Sequence, residues 1–385
     1  MNVLFITHCT PMDGGNHSLL QLMVELQREP YSIKPILLTP IEIKSSSSSI
    51  LTEARKYGIK CVSSRFYPFK YSSRSPLNFV RYATNLFNVP AILNKLKGIS
   101  IDLIHSNSSI FDIGAIIADK LKVPHIWHLR EFGDLDFNLT PLIGVRQEKI
   151  IYRNASRFIA ISESVRQRFL HCIDKNKIDV VYNGIPLKLI STQKRDNAKV
   201  NFCITGAVNM AKRQCDAVEA INILVNERRY TALHLTIIGE GSESSRLKKL
   251  VEHYNISPYV SFVGWVKHPE ELYSGMDCGL MLSVNEAFGR VTIEYMRAGL
   301  LVIASDGGAN KELIDDGVTG LLFNTGDVTQ LADKMAFAIE NSVLARKIAS
   351  QGMDFSQNHF LSTDNTKTVF EIYLKYGTID RQRNT

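Results

Sequence analysis

The sequence predicts an α/β protein made of two doubly wound domains of similar size. Two observations carry that expectation. Short apolar runs of strand composition alternate with segments of helical periodicity along the whole chain, the pattern of parallel sheets covered by helices. Several runs, such as LFIT, LTIIG and LVIAS, are apolar without alternation, as strands buried on both faces must be. The length agrees, because 385 residues make two ordinary domains at roughly 100–200 residues each.

Taken in order, the first domain's strands are expected at Val3–Thr7, Ile33–Leu38, Asp102–Ser106, Val123–His128, Arg157–Ile161 and Ile178–Tyr182. The second domain's are expected at Val200–Thr205, Leu233–Ile238, Val260–Val263, Cys278–Ser283 and Leu301–Ala304. Between them, apolar residues at i, i+3 and i+4 mark helices such as Ser18–Leu26, Cys215–Asn226 and Leu331–Ile339. Residues Lys188–Lys199 are polar and aperiodic and read as a linker. The expected organisation is an N-terminal domain over residues 1–185, a linker over 186–199 and a C-terminal domain over 200–365. Residues 366–385 form a terminal segment able to cross back to the first domain. The serine run Ser45–Ser49 reads as a flexible loop, and no internal repeat is evident.

Composition narrows the class. With 45% hydrophobic and 22% charged residues, the chain is globular in character. No apolar run reaches the ~18 residues of a membrane-spanning helix. The opening MNVLFITHCT lacks a basic leader region and reads as a first strand, not a signal peptide. The six cysteines (Cys9, Cys61, Cys172, Cys203, Cys215 and Cys278) are scattered without a CxxC pair, which argues against a disulfide scaffold and against zinc. A reduced, cytoplasmic location is expected.

The segment richest in chemistry is NEAFGRVTIEYMRAG, Asn285–Gly299. It follows an apolar strand and opens a helix near Gly289, with Val291, Met296 and Ala298 toward the core. A helix start offers unpaired N–H groups and partial positive charge, hence an anion site. Gly289 lets a ligand approach the backbone. Glu286 precedes the helix and Glu294 lies about five residues inside it, roughly 8 Å along the axis. A diphosphate at the helix start then has a carboxylate on either side, and carboxylates accept paired hydroxyls. That suits a nucleotide sugar, with ribose on Glu294 and the donor sugar on Glu286. Two solvated glutamates flanking an ordinary helix start have the same spacing.

Three further loops add weaker signals. In TGAVNMAKRQCDAVEA, Lys212 and Arg213 sit where a loop enters a helix, and a lysine there neutralises a leaving phosphate or is simply a surface lysine. In PMDGGNHS, Gly14 and Gly15 free the backbone to approach a phosphate or merely form a turn. The segment is not GxGxxG, which disfavours a nicotinamide cofactor. In VPHIWHLREF, His128 ends a buried strand on the side where doubly wound sheets place ligands. A histidine there bonds a sugar hydroxyl or the leaving phosphate, unless it is satisfied locally. His105 and Ser106, at the end of a neighbouring strand, carry a weaker version of that signal. IIGEGSES reads as a cleft wall, and FVGW as a backbone frame for a base.

This constellation resembles the retaining glycosyltransferases of family 4, which have the GT-B fold: two Rossmann-like domains facing each other across a cleft. The stretch Glu286-Ala-Phe-Gly-Arg-Val-Thr-Ile-Glu294 is similar to that family's E-x7-E signature, and Ala298–Asp327 to its usual continuation. By resemblance Glu286 binds the donor sugar and Glu294 the ribose, while Phe288 and Gly289 approach the sugar through their backbone. Lys212 contacts the diphosphate, Gly14 and Gly15 match the first glycine loop, and His128 lies near the donor sugar. Arg213, Arg290 and Val291 join the donor-binding set. The family often carries an arginine directly after the glycine that opens the lysine loop. Here Gly206 is followed by Ala207, so Lys212 carries more of the charge, helped by Arg213 or Arg290.

The resemblance implies transfer of a sugar from a nucleotide-diphosphate sugar, uridine-based, with retention. No D-x-D motif appears in the loops assigned to phosphate, where helix dipoles and lysine substitute for a metal, so neither a metal nor another cofactor is expected. Same-face attack fits, since no carboxylate stands out as a nucleophile. A nucleotide-sugar epimerase or glycan phosphorylase of the same fold, and a non-catalytic binding module, are the alternatives. On the acceptor side, residues 51–100 carry nine Lys/Arg against the single acid Glu53, interleaved with aromatics. The nine are Arg55, Lys56, Lys60, Arg65, Lys70, Arg74, Arg81, Lys95 and Lys97. Such a segment suits an anionic membrane surface and hence a lipid-linked or otherwise anionic acceptor. No nucleic-acid motif accompanies it, so nucleic acid is not an expected partner.

Overall fold

A computed structural model describes residues 1–41, 49–186 and 199–377. The chain divides into two compact units, Met1–Gly184 with the residues from Ser362 onward, and Ile185–Leu361. The linker expected at 186–199 lies almost wholly outside the described residues, as does most of the serine run. Ser49 is described. Its hydroxyl caps helix Ile50–Lys56 by accepting from the Thr52 amide at 3.3 Å.

The first unit's strands are β1 (Asn2–Ile6), β2 (Lys34–Pro40), β3 (Lys60–Ser64), β4 (Lys70–Tyr71), β5 (Leu103–Ser106), β6 (His125–Leu129), β7 (Thr140–Pro141), β8 (Arg157–Ala160) and β9 (Ile178–Val180). Seven form one sheet in the order β3-β2-β1-β5-β6-β8-β9, with every pairing parallel. The short β4 and β7 pair antiparallel apart from it. Val3, Phe5, Leu37, Ile126 and Ile159 pack one face against Leu19, Leu22 and Met23 of helix Gly14–Gln27. Val369, Ile372 and Tyr373 of helix Ser362–Gly377 join the same core, which is why the chain's last helix belongs to its first unit. Leu4, Ile6, Ile36 and Ile104 pack the other face against Ile92, Ile113 and Ile117. Such faces, at about 25 cal/mol per Å² of apolar area buried, are the main drive to fold.

The second unit has β10 (Val200–Thr205), β11 (Leu233–Ile238), β12 (Val260–Gly264), β13 (Cys278–Met281), β14 (Leu301–Ser305) and β15 (Leu321–Phe323), ordered β12-β11-β10-β13-β14-β15 and parallel throughout. Each sheet reverses its strand order beside its first strand, and the carboxyl ends of the strands at that point are where doubly wound sheets bind ligands. Each unit, taken by itself, thus has a Rossmann-like form.

The apolar strands fall where the sequence places them, at Val200–Thr205 and Leu233–Ile238 to the residue. Four strands were not anticipated: the two-residue pair β4 and β7, and β3 and β15, which lie at the edges of the two main sheets. KCVSS has too little apolar character to signal a strand, and LLF is too short.

Candidate active site

The site in the second unit begins with a glycine inside a strand. A Cβ on Gly279 would lie 2.2 Å from the Tyr295 ring. The missing side chain lets helix Arg290–Arg297 settle onto the sheet. Ile293, Tyr295 and Met296 are fully buried. Tyr295 reaches the far side, where its hydroxyl accepts from the Thr205 amide at the end of β10, 2.8 Å away. That pins the helix start beside the carboxyl ends of β10 and β13.

Gly289 caps this helix with φ +88°, a left-handed conformation that strains any other residue. Phe288 turns its ring against Phe360, and the residue, backbone included, is 2% exposed. The loop holding Glu286 is backed by the loop after β14. Ala309 N–H donates to the Glu286 carbonyl at 2.7 Å, and Ser305 Oγ donates to the Ser283 carbonyl at 2.6 Å. The two loops touch so closely that a Cβ on Gly308 would lie 2.2 Å from the Glu286 carbonyl oxygen, and one on Gly307 2.0 Å from that of Val284. In the sequence, the signal for these two glycines is the GG pair itself, one strand on from the glutamate.

Lys212 lies in the short turn Met210–Lys212, capped by Asn209, whose side chain accepts from the Lys212 amide at 3.0 Å. Its Nζ sits 2.7 Å from Glu286 Oε2. The expected phosphate cation and the expected sugar-binding carboxylate are therefore in direct contact. Burial pushes the Glu286 carboxyl toward protonation. The Lys212 charge and hydrogen bonds from Lys212, Ser283 and the Gly289 amide outweigh it and hold the carboxyl below its usual range. A charged carboxylate at a helix start suits hydroxyls that donate to it.

Glu294 follows one turn into the helix, with Arg290 Nη2 3.7 Å from its Oε1. Val291 is half-buried beside it. Arg213 is engaged elsewhere: its Nε lies 2.5 Å from Asp216 Oδ2. Its guanidinium also lies 3.5 Å from where a Cβ of Gly326 would stand. Of the two cations named as substitutes at the Ala207 position, then, Arg290 sits beside Glu294 and Arg213 is held by Asp216.

The remaining expected residues belong to the first unit. Gly14 and Gly15 were read as a loop, but they form the first turn of helix Gly14–Gln27. Asp13 explains the difference, since its carboxylate caps the helix by accepting from the Asn16 amide at 2.7 Å. A Cβ on Gly15 would touch only Asp13 Oδ1, at 3.4 Å, so packing within the unit does not demand glycine there. His128 is fully buried near the end of β6, its Nδ1 3.2 Å from His105 Nε2, while its Nε2 has no partner among the described residues. Burial, with Arg130 and His105 nearby, holds its pKa well below the usual histidine value, so the ring is neutral. Ser106 is likewise buried and bonded to His125 Nε2 at 2.8 Å.

Sequence reasoning missed a polar cluster beside His128. Buried Arg130 donates to Asn107 Oδ1 at 2.7 Å and also to Asn183. Buried Glu131 accepts from Ser108 Oγ and Ser109 Oγ, each at 2.8 Å. Its signal was the charged RE directly after an apolar strand. Two other sets, His8/Cys9/Asp13 and Glu148/His171/Cys172, have possible ligand atoms within 4.8 Å of one another. In the second, Lys70 Nζ already stands 2.6 Å from Glu148 as its counter-ion.

The basic segment 51–100 is divided by the fold. Lys70 is 2% exposed and paired with Glu148, and Phe66 and Phe69 are core residues. The other eight cations stay exposed, and exposed apolar side chains join them between Arg74 and Pro90. There Leu77, Val80, Leu86 and Phe87 are 56%, 61%, 76% and 80% exposed, with Arg74 and Arg81 beside them.

Residues 189–354 match the family of glycosyl transferases group 1, and residues 48–189 match glycosyltransferase family 4. The N-acetyl-alpha-D-glucosaminyl L-malate synthase of Bacillus anthracis is 26% identical over 272 residues, 67% of this chain and 69% of that protein. An uncharacterized glycosyltransferase of Methanocaldococcus jannaschii is 24% identical over 282 residues, 72% and 76% of the two chains. Among solved structures, Anabaena HepE in complex with UDP-glucose superimposes with a TM-score of 0.78 at 18% identity, covering 97% of this chain and 100% of that one. A variant of S. aureus TarM, in complex with Fondaparinux, alpha-GlcNAc-glycerol and UDP, does so at 0.76 and 14%, covering 98% and 99%. Two consecutive family matches, the shared fold and the carboxylate–lysine geometry at a helix start agree: the chain is a glycosyltransferase of group 1, family 4.

Proposed function

We propose that the protein transfers a sugar from a UDP-sugar to a hydroxyl of a glycan or lipid-linked acceptor, with retention at the anomeric carbon and no metal ion. The observation that carries this reading is the contact of Lys212 with Glu286 at 2.7 Å, beside the start of the helix that bears Glu294. A positive side chain, the amides of a helix start and two carboxylates are the groups a diphosphate flanked by two sugars requires. HepE, crystallised with UDP-glucose, and TarM, crystallised with UDP, support the choice of uridine.

In this reading the bond from the anomeric carbon to the diphosphate oxygen breaks, and its electron pair leaves on the diphosphate. Lys212 and the first-turn amides of helix Arg290–Arg297 stabilise that negative charge. The acceptor oxygen bonds to the same face of the carbon, and its proton passes to the departing phosphate oxygen. Glu286 holds sugar hydroxyls and Glu294 the ribose. Gly14 and Gly15, the second of which the first unit's packing does not explain, leave amides for the phosphate, and His128 Nε2 meets a donor oxygen.

Release of nucleoside diphosphate from a panel of UDP-, GDP- and ADP-sugars tests the reading. UDP release that needs an acceptor and persists in EDTA is expected. Tight binding with no turnover toward any glycan or lipid acceptor contradicts it in favour of a binding module, and return of the sugar with one hydroxyl inverted points to an epimerase.

The acceptor is reached at the cytoplasmic leaflet of a membrane. No helix among the described residues is long and apolar enough to cross one. The segment Leu77–Phe87, free of acids, exposes Leu77, Val80, Leu86 and Phe87 with Arg81 among them and Arg74 just before it, and is suited to resting in the interface. Sedimentation with phosphatidylglycerol vesicles is expected to fall sharply for Leu86→Ser with Phe87→Ser. Equal binding of both proteins, or equal binding to neutral vesicles, refutes the dock.

A further inference from the structure

Three rings form a file through the first unit's core. Tyr373, on helix Ser362–Gly377, has its hydroxyl 2.6 Å from His105 Nδ1. His105, on β5, has its Nε2 3.2 Å from His128 Nδ1 on β6. All three residues are 0% exposed. The file ends at His128 Nε2, a buried nitrogen with no hydrogen-bond partner among the described residues. A buried orphan of this kind calls for an explanation, and a ligand atom is one.

We propose that Tyr373, acting through His105, fixes the tautomer of His128 so that Nε2–H is presented as a donor to an oxygen of the bound sugar nucleotide. Proton counting selects this arrangement. A phenol hydroxyl carries one hydrogen, and among the described residues His105 Nδ1 is its acceptor. If the phenol donates to Nδ1, a neutral His105 carries its proton on Nε2. That N–H donates to His128 Nδ1, which places the His128 proton on Nε2. One polar group, the Nε2–H, is then left over. In the reverse order, His128 Nδ1–H donates to His105 Nε2, and His105 Nδ1–H donates to the phenol oxygen. The phenol hydrogen and the bare His128 Nε2 are then both unpartnered in a dry core. The first order leaves one orphan and the second leaves two, so the first prevails. Burial keeps both imidazoles neutral, as the count requires.

A consequence follows for the chemistry. His128 in this state has no lone pair to offer and is not the base that takes the acceptor's proton. Its complement is an acceptor oxygen, of a sugar hydroxyl or of the diphosphate. Tyr373 and His105 touch no substrate; they are positioning residues. The proposal rests on the donor-binding reading of His128 given above.

Two-bond proton–nitrogen spectra of the protein labelled with nitrogen-15 in histidine report each ring's tautomer directly, without any assay of activity. Tyr373→Phe keeps the ring and removes only the hydroxyl, so the core stays filled. The expected result is a pure Nε2–H form for His128 in the native protein and a mixture, or the Nδ1–H form, in Y373F. The variant is also expected to raise the donor's KM roughly 3- to 10-fold, the loss of one oriented hydrogen bond, with kcat changed less. A native spectrum with His128 protonated on Nδ1, or a Y373F spectrum identical to the native one, overturns the proposal. UDP and UDP-glucose supply the second arm. If either stabilises the protein thermally yet leaves the His128 Nε2–H signal unmoved, the donor role of that atom is refuted. If neither binds, the reading of the donor fails, while the tautomer still decides the relay.

Discussion

The contact between the loop after β14 and the loop bearing Glu286 can be separated from backbone strain by one pair of substitutions. Gly308 and Gly317 both have positive φ, +60° and +76°. An alanine at either position pays for the left-handed conformation at about 1–2 kcal/mol. At Gly317 nothing lies within 4 Å of the new Cβ, so strain is the whole cost. At Gly308 the Cβ would stand 2.2 Å from the Glu286 carbonyl oxygen and 2.6 Å from its nitrogen. These are backbone atoms, which no rotamer change removes. Overpacking of this kind adds about 1–3 kcal/mol. In a domain of this size about 1 kcal/mol moves the melting temperature by roughly 2–4 °C. G317A is therefore expected to melt roughly 2–8 °C below the native protein, and G308A a further 2–12 °C lower. Relief of the clash also moves Glu286 away from Lys212, so UDP release by G308A is expected to drop at least about tenfold, as for other groups displaced from the developing charge. G317A keeps native turnover. Calorimetry and a coupled UDP assay read both quantities. Equal melting temperatures and equal activities for the two variants would show that the loops do not support each other as described.

Other perturbations reach different parts of the account. Lys212→Ala removes the cation beside Glu286 and is expected to lower kcat about 10²- to 10³-fold with a smaller change in donor KM; a change in KM alone contradicts its role. Glu294→Ala is expected to weaken UDP binding by roughly 10- to 100-fold in titration calorimetry, the value of hydrogen bonds to a charged group, and unaltered affinity rules out the ribose contact. Arg297, 8% exposed, donates to the carbonyl oxygens of Ile185, Pro186, Ser356, His359 and Phe360. Arg297→Met leaves those acceptors bare and is expected to cost about 3 kcal/mol or more in urea denaturation, whereas a neutral result means that water or the chain replaces it readily. Asp112 is buried, and burial raises its pKa to about 6 against the opposing hydrogen bond from Tyr82. The folded form thus holds this proton to higher pH than the unfolded chain does. The contribution is fully present below about pH 4 and lost as pH rises through about 6, worth up to about 3 kcal/mol. Asp112→Asn is expected to flatten that part of the stability profile, and an unchanged slope refutes the assignment.

Much of the fold was legible because apolar strands in parallel sheets carry their own signal. LHLTII and VNFCIT, buried on the sheet interior, were placed to the residue, while KCVSS at an edge gave no signal. Gly14 and Gly15 read as a turn because glycine is the usual mark of one. The capping carboxylate of Asp13 made them a helix start instead. The E-x7-E segment gave the second unit's site directly, because both glutamates and the helix between them lie within one stretch of chain. The supports of that site were harder to see. Gly279, Gly307 and Gly308 act by the atoms they lack, against Tyr295, Val284 and Glu286, and those contacts exist only in three dimensions. The same holds for Lys70, read as part of a basic face but buried on Glu148, and for Tyr373, whose hydroxyl meets a histidine far away in sequence.

A crystal structure of the protein grown with UDP tests the whole assignment in one step. The β-phosphate is expected on Lys212 and the amides that begin helix Arg290–Arg297, with both ribose hydroxyls on the Glu294 carboxylate. UDP bound elsewhere, or bound with Lys212 still closed on Glu286 and Glu294 facing only Arg290, contradicts the account.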